Sequence, residues 1–182
     1  MSVTENKRVL FPGVKDGETF KIGDMEFIKF PSENGVTPVV MKDIAFTARF
    51  GENNDLRESN VLKRMVDEIL PKIVAAIGED NLCTVKTDLT TLDGLKPYGV
   101  MESLISLPTL DFYRANVEVF DRYSPGRWWW LATPESARPH CAPEWTLCVS
   151  PSGRFNFGNC DNGIGVLPFL SFKSSIFESF ED

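Results

Sequence analysis

Arg127-Trp128-Trp129-Trp130-Leu131-Ala132-Thr133-Pro134 gathers three of the chain's four tryptophans into one run. Side chains alternate between the two faces of a strand. As a strand, the run sends Trp128 and Trp130 to one face and Trp129 to the other. Residues this large bury on both sides only where something covers each face. The pattern therefore predicts an inner strand of a mixed fold, with Trp129 and one flanking tryptophan in the core.

Downstream the pattern stays β. Thr146-Leu147-Cys148-Val149 predicts a strand, Ser150-Pro151-Ser152-Gly153 a turn, and Arg154-Phe155-Asn156-Phe157 the returning strand of a hairpin. Val166 to Phe172 predicts a final strand. Upstream, Pro108 suits the first turn of a helix with the buried stripe Leu110, Tyr113, Val117 and Phe120, ending before Ser124-Pro125-Gly126. A longer helical pattern covers 57–78, where Val61, Leu62, Met65, Ile69, Leu70, Ile73, Val74 and Ile77 fall on one face. Asn54, Asp55 or Ser59 can cap its start, and Gly78 stands where a glycine ends a helix. Pro71 removes an amide, which predicts one helix to about Leu70 and a shorter one after it. Phe20-Lys21-Ile22 and Glu26-Phe27-Ile28-Lys29-Phe30, split by Gly23-Asp24, belong to a β-meander over 9–50. Residues 81–106 read as loop and short strand around an Asp93-Gly94 turn. No repeat or linker-like run marks a domain boundary. The order of meander, helix, helix and hairpins predicts an α+β domain over 17–182, behind an N-terminal extension over 1–16.

The length of 182 residues and the 42% hydrophobic content suit one domain with a sizeable core. The 26 acidic and 19 basic residues give a net charge of −7. No basic surplus exists to hold nucleic-acid phosphates, and an anionic membrane surface is disfavoured too. Met1-Ser2-Val3-Thr4-Glu5-Asn6-Lys7-Arg8 is polar and leads into no apolar segment, so no signal peptide is expected. No apolar run approaches a membrane span. The chain is expected to be cytoplasmic, or to leave a cell as part of a larger particle. Cys83, Cys141, Cys148 and Cys160 are then expected as reduced thiols. Their spacing does not match a zinc site, and His140 is the only histidine. His140 is expected on a surface loop rather than as an acid or base. No phosphate loop, GxSxG elbow or HExxH sequence is present. No cofactor is expected.

Trp129-Trp130-Leu131-Ala132-Thr133-Pro134, then Val149-Ser150-Pro151-Ser152-Gly153, then Gly165-Val166-Leu167-Pro168 resemble, in that order, the WWLRSP, V-x-x-x-G and GVRP motifs of a bacterial and phage domain family of unknown function. Asn54 to Ser59 and Ile105-Ser106-Leu107 through Tyr113 resemble two further segments of that family, so the similarity spans about 17–177. Leu167 stands where the family carries arginine, which puts any anion contact of that arginine in doubt here. The family is similar to the C-type-lectin-like fold, shared by formylglycine-generating enzymes and the variable proteins of diversity-generating retroelements. The resemblance implies such a fold, a fold alone not fixing function. Cys141 and Cys148 lack the copper-site spacing of the formylglycine-generating type, and one histidine cannot supply the iron site of other relatives. The calcium-loop sequences of animal lectins are absent, with Pro143-Glu144-Trp145 and Asp161-Asn162 as faint echoes.

A binding surface remains. Candidate ligand-binding residues are Glu135, Arg138, His140, Glu144 and Trp145 before or at the start of the hairpin. Arg154, Asn156, Phe157, Asn159, Asp161 and Asn162 follow on its return, with Phe155 among them. Aromatic and arginine side chains anchor interfaces, and asparagines adapt their hydrogen bonds. In the retroelement proteins the diversified surface lies in the corresponding region. The resemblance thus implies a non-catalytic recognition domain, encoded by a phage or prophage and displayed on a virion or tail, that binds a host-surface protein or glycan. Homo-oligomerisation or attachment to a tail component would add avidity. The alternative is an intracellular interaction module or an inhibitor of a host protein.

Overall fold

The computed structural model describes residues 9–139 and 143–178, and it puts the tryptophan run on the middle strand of a five-stranded sheet. In chain order the strands and helices are β1 (Thr19–Ile22), β2 (Met25–Lys29), β3 (Val36–Met41), β4 (Phe46–Ala48), α1 (Asn60–Arg64), α2 (Leu70–Ile77), β5 (Leu82–Cys83), β6 (Val85–Asp88), β7 (Val100–Ser103), α3 (Leu110–Ala115), α4 (Val117–Arg122), β8 (Trp129–Pro134), β9 (Trp145–Val149), β10 (Phe155–Asn159), β11 (Ile164–Val166) and β12 (Phe169–Lys173). One sheet has the order β1-β2-β3-β12-β5, the other β10-β9-β8-β11-β4, and β6 and β7 form a separate hairpin. Pairing is antiparallel except between β11 and β8. The fold is α+β, with mostly antiparallel sheets and few, short helices. Among the described residues no helix is long and apolar enough to cross a membrane.

Gly23 and Asp24 make the two-residue turn between β1 and β2, with Ile22 opposite Met25. The meander ends at β3, because β4 belongs to the other sheet. The final strand expected over Val166–Phe172 is likewise two strands. Leu167 and Pro168 carry the chain from β11 in one sheet to β12 in the other. Proline has no amide for a ladder, so the strand breaks there. The Pro168 carbonyl still accepts from the Met41 amide at 2.9 Å. Leu167 is buried with Ile28, Phe30 and Val40 rather than facing solvent. At the other end of the chain, the Leu10 and Phe11 amides donate to the Ile176 carbonyl, and the Phe11 ring lies 4.7 Å from Phe20.

The long helical pattern breaks earlier than expected. Ser59 caps α1 by accepting from the Leu62 amide at 2.9 Å. Met65–Ile69 then form a π turn, in which the Leu70 amide donates to the Met65 carbonyl. This wider turn lets Pro71 sit in the first turn of α2, where its missing amide costs nothing. Val61, Met65, Ile69, Ile73 and Ile77 are buried along one stripe, and Gly78 closes it at φ +84°. The helix expected from Pro108 is two short helices. Thr109 caps α3, so Pro108 lies just before the helix rather than in its first turn, and Asn116 interrupts the path to α4. Leu110, Tyr113 and Phe120 are buried as expected, but Val117 is 39% exposed because it follows that break and points outward.

The tryptophans divide as alternation requires. Trp130, Ala132 and Cys148 point into a core shared with α1, α2 and the first sheet. Trp129, Leu131, Leu147 and Val149 point into a second core under α3 and α4. Trp129 stacks 5.4 Å from Phe120 and meets Tyr113 edge-on at 5.7 Å. Trp130 is fully buried, meets Phe50 edge-on at 5.4 Å, and donates its indole N–H to the Ala48 carbonyl at 3.0 Å. Gly158 of β10 lies flat against this indole: a Cβ there would stand 2.6 Å from Trp130 Cζ3. Gly158→Ala is therefore expected to cost about 1–3 kcal/mol in urea unfolding. Gly163→Ala, whose Cβ meets only Thr47 Cγ2 at 3.7 Å, is expected to stay within about 0.5 kcal/mol of wild type. Equal losses would refute this packing account.

Candidate functional site

The hairpin of β9 and β10 forms one margin of the second sheet, with β10 as its edge strand. Phe155 lies opposite Val149, Phe157 opposite Leu147, and Asn159 opposite Trp145. These residues share the face that, further in, is covered by α3 and α4. The helices do not reach the margin, so Phe155 is 47%, Phe157 42% and Trp145 40% exposed. Trp145 and Phe157 are diagonal neighbours on that face, within reach for aromatic side chains.

The turn of the hairpin is fixed from two sides. Gly153 adopts φ +83°, and a Cβ there would stand 2.7 Å from Asp121 Oδ1, so only glycine fits. The Tyr113 hydroxyl donates to the Gly153 carbonyl, tying the turn to α3. Burial raises the Tyr113 phenol above its ordinary value, so it stays a donor. Beside this turn, Tyr113, Arg114, Val117, Gly153, Arg154 and Phe155 line a groove of about 450 Å³.

On the opposite face, Trp128 is 41% exposed. It borders a second groove of about 500 Å³ with Phe157, Gly158, Asn162 and Gly163, floored by Cys148. A smaller polar cavity of about 220 Å³ lies between the 88–92 loop and the start of α3, with Asp88, Thr90, Thr109, Asp111 and Thr133 in its wall. Burial pushes the Cys148 and Cys160 thiols up to about 11, so neither is a ready nucleophile at neutral pH. Among the described residues, no three His, Cys, Asp or Glu side chains group as a metal site.

The loop entering β9 is clasped at its base. The buried Asn54 side chain donates to the Ser136 carbonyl at 2.8 Å and the Trp145 carbonyl at 3.0 Å, and accepts from the Tyr98 hydroxyl at 2.7 Å. Its backbone amide donates to the Pro143 carbonyl at 2.8 Å. Asp93 holds the same loop from outside, accepting from the Ser136 hydroxyl at 2.8 Å and Arg138 Nε at 2.9 Å. The Thr91 hydroxyl, then Ser136, then Arg138 hold the Asp93 carboxyl down at about 2.

The expected site residues thus separate. Trp145 and Phe157 share one face of the exposed hairpin, Asn156 belongs to the other face, Arg154 stands at the turn, and Glu144 and Asn162 are exposed at the hairpin's ends. Arg138 is engaged by Asp93, and Asp161 by Arg49 at 2.5 Å. Asn159 accepts from the Asp161 amide within its own turn, and Glu135 is half-buried beside β9. His140 lies outside the described residues. Sequence reasoning left open which flanking tryptophan stays outside the core, which is Trp128, and it missed Val117 and the clasp of Asn54 and Asp93. The break at Asn116 was the one available signal for Val117.

Comparison with protein-family profiles, with curated proteins and with solved structures returns no match for this chain.

Asn54→Ala leaves the Ser136 carbonyl without its donor, takes one of two donors from the Trp145 carbonyl, which keeps the Glu135 amide at 3.1 Å, and is expected to cost about 1–3 kcal/mol by thermal unfolding. The Asp93 carboxyl has a folded value of about 2 against an ordinary 3.8. Its contribution to stability is therefore complete above pH 3.8 and is lost as pH falls towards about 2. Melting temperatures measured above and within that window should fall more steeply for wild type than for Asp93→Asn; parallel curves would dismiss the clasp.

Proposed function

We propose that this chain is a non-catalytic recognition domain, C-type-lectin-like in fold, that binds a host-surface protein or glycan through the β9–β10 hairpin. Phage or prophage origin and display on a virion or tail complete the reading. The observation that carries it is the exposed set of Trp145, Phe155 and Phe157 on one face of an edge hairpin. Isolated apolar residues on a surface are ordinary, but large aromatics grouped on one element form the anchors of interfaces. The hairpin is also rigid, since Tyr113 and Gly153 fix its turn and Asn54 fixes its entry. Rigid aromatic anchors lose little entropy on binding.

Contact runs through side chains rather than by adding a strand. The outward amide of Phe157 is already capped by Asn156 Oδ1 at 2.8 Å. Such a cap blunts an edge against a further strand.

The test is capture by the immobilised full chain from a host envelope fraction and a host cytosolic fraction in parallel. An envelope partner, held at least tenfold less well after Trp145→Ala or Phe157→Ala with unchanged melting temperature, is the expected result. A stoichiometric cytosolic partner would overturn display at a surface and favour the intracellular interaction module.

A further inference from the structure

The groove beside Phe155 selects a narrower ligand class. Its walls are the Tyr113 ring, Val117, the Gly153 turn and the Phe155 ring, with Arg114 and Arg154 at its lips. Val117 and Phe155 are both exposed there, one from the helical corner and one from the edge strand. The groove offers almost no hydrogen-bonding partners below its lips. A sugar seated in it would leave hydroxyls unpaired, at a cost an apolar side chain does not incur. A volume of about 450 Å³ admits one or two side chains, not a packed helix.

The lips add charge. Arg154 enters no ion pair among the described residues. Among the described residues Arg114 pairs only with the exposed Asp111, at 2.9 Å, and such surface pairs exchange readily. Glu118 is exposed on α4 beside Val117, and Asp121 lies behind the Gly153 turn. The chain as a whole is acidic at −7. The Asp111, Glu118 and Asp121 carboxylates are too close for salt to screen them fully, but none of them lines the groove, whereas Arg114 and Arg154 both do, so a group entering it meets the guanidiniums directly.

We propose that this groove receives a peptide segment in which an aromatic or aliphatic side chain sits next to one or two carboxylates. The side chain fills the space between Val117 and Phe155, and the carboxylates meet Arg154 and Arg114. This deepens the recognition reading given above, on which it rests, by naming a protein rather than a sugar as what this part of the hairpin holds.

The experiment is selection of a phage-displayed library of random twelve-residue peptides on the full chain. Enriched peptides, synthesised and measured by fluorescence polarisation, should carry an aromatic or aliphatic residue within two positions of Asp or Glu. Their affinity should fall at least tenfold for Arg154→Glu and for Phe155→Ser, and stay within twofold for Lys63→Glu, a charge reversal on the exposed side of α1, all with wild-type melting temperatures. No enrichment, enrichment without an acidic bias, or binding undiminished by Arg154→Glu overturns the proposal. Envelope capture that depends on Trp145 and ignores Arg154→Glu would sink the groove while leaving the recognition reading intact. Peptide binding as expected, with no envelope capture, would do the reverse.

Discussion

Segments 36–48 and 164–173 run antiparallel to each other through both sheets, and the rest of the fold hangs on that ribbon. In the first sheet Val40 lies opposite Phe169; in the second Phe46 lies opposite Val166. Between those pairs, one segment crosses with Leu167 and Pro168 and the other with Met41 to Ala45. The Met41 amide to the Pro168 carbonyl and the Ala45 amide to the Val166 carbonyl, both 2.9 Å, keep the crossing paired. The two sheets are thereby fixed at one angle. Their shared space becomes the first core, and the outer face of the second sheet needs a separate cover, which α3 and α4 supply. Gly165 at the crossing has its Cβ position 2.5 Å from Ile44 Cδ1 and 2.8 Å from the Trp128 carbonyl, so the ribbon and β8 approach more closely than any side chain would permit.

That geometry explains why the hairpin is where it is. β8 must be central because the ribbon flanks it through β11 on one side. β9 and β10 then extend the sheet in the only open direction, beyond the reach of α3 and α4. The aromatics of β10 are exposed because of this overhang and not because the chain lacks apolar partners. The same strand turns its other face inward at Gly158, so it cannot swing away without uncovering Trp130.

Much of this was readable from local chemistry. Turn residues located the β1–β2 and β9–β10 hairpins, because Gly23-Asp24 and Ser150 to Gly153 act within a few residues. Alternation assigned Trp129 and Trp130 to opposite cores. Pro168 was a local signal for a break in the final strand, but the change of sheet was not readable, since it lies in which strands each half pairs with. Val117 kept helical spacing with the buried stripe, yet the break at Asn116 turned it outward. Asn54 looked like one capping residue among several. Its role comes from carbonyls at Ser136, Pro143 and Trp145, about eighty to ninety positions away, and no local pattern records such a partner.

Exposed aromatics are useful for recognition only if their positions are settled before a partner arrives. Each ordered side chain or loop that must be fixed on binding subtracts from affinity. Here the fixing is done in advance. Tyr113 holds the turn, Asn156 caps the one outward amide of Phe157, and Asn54 with Asp93 holds the segment that leads into Trp145. These contacts are polar and short-range, and they hold the backbone of the aromatic segments rather than their rings. On the proposed recognition reading, a substitution on that surface would alter what is bound without disturbing the scaffold, and a substitution in the clasp would loosen the surface without changing its chemistry. That separation of scaffold from contact residues is the property a domain needs if its binding face is to change while its fold does not.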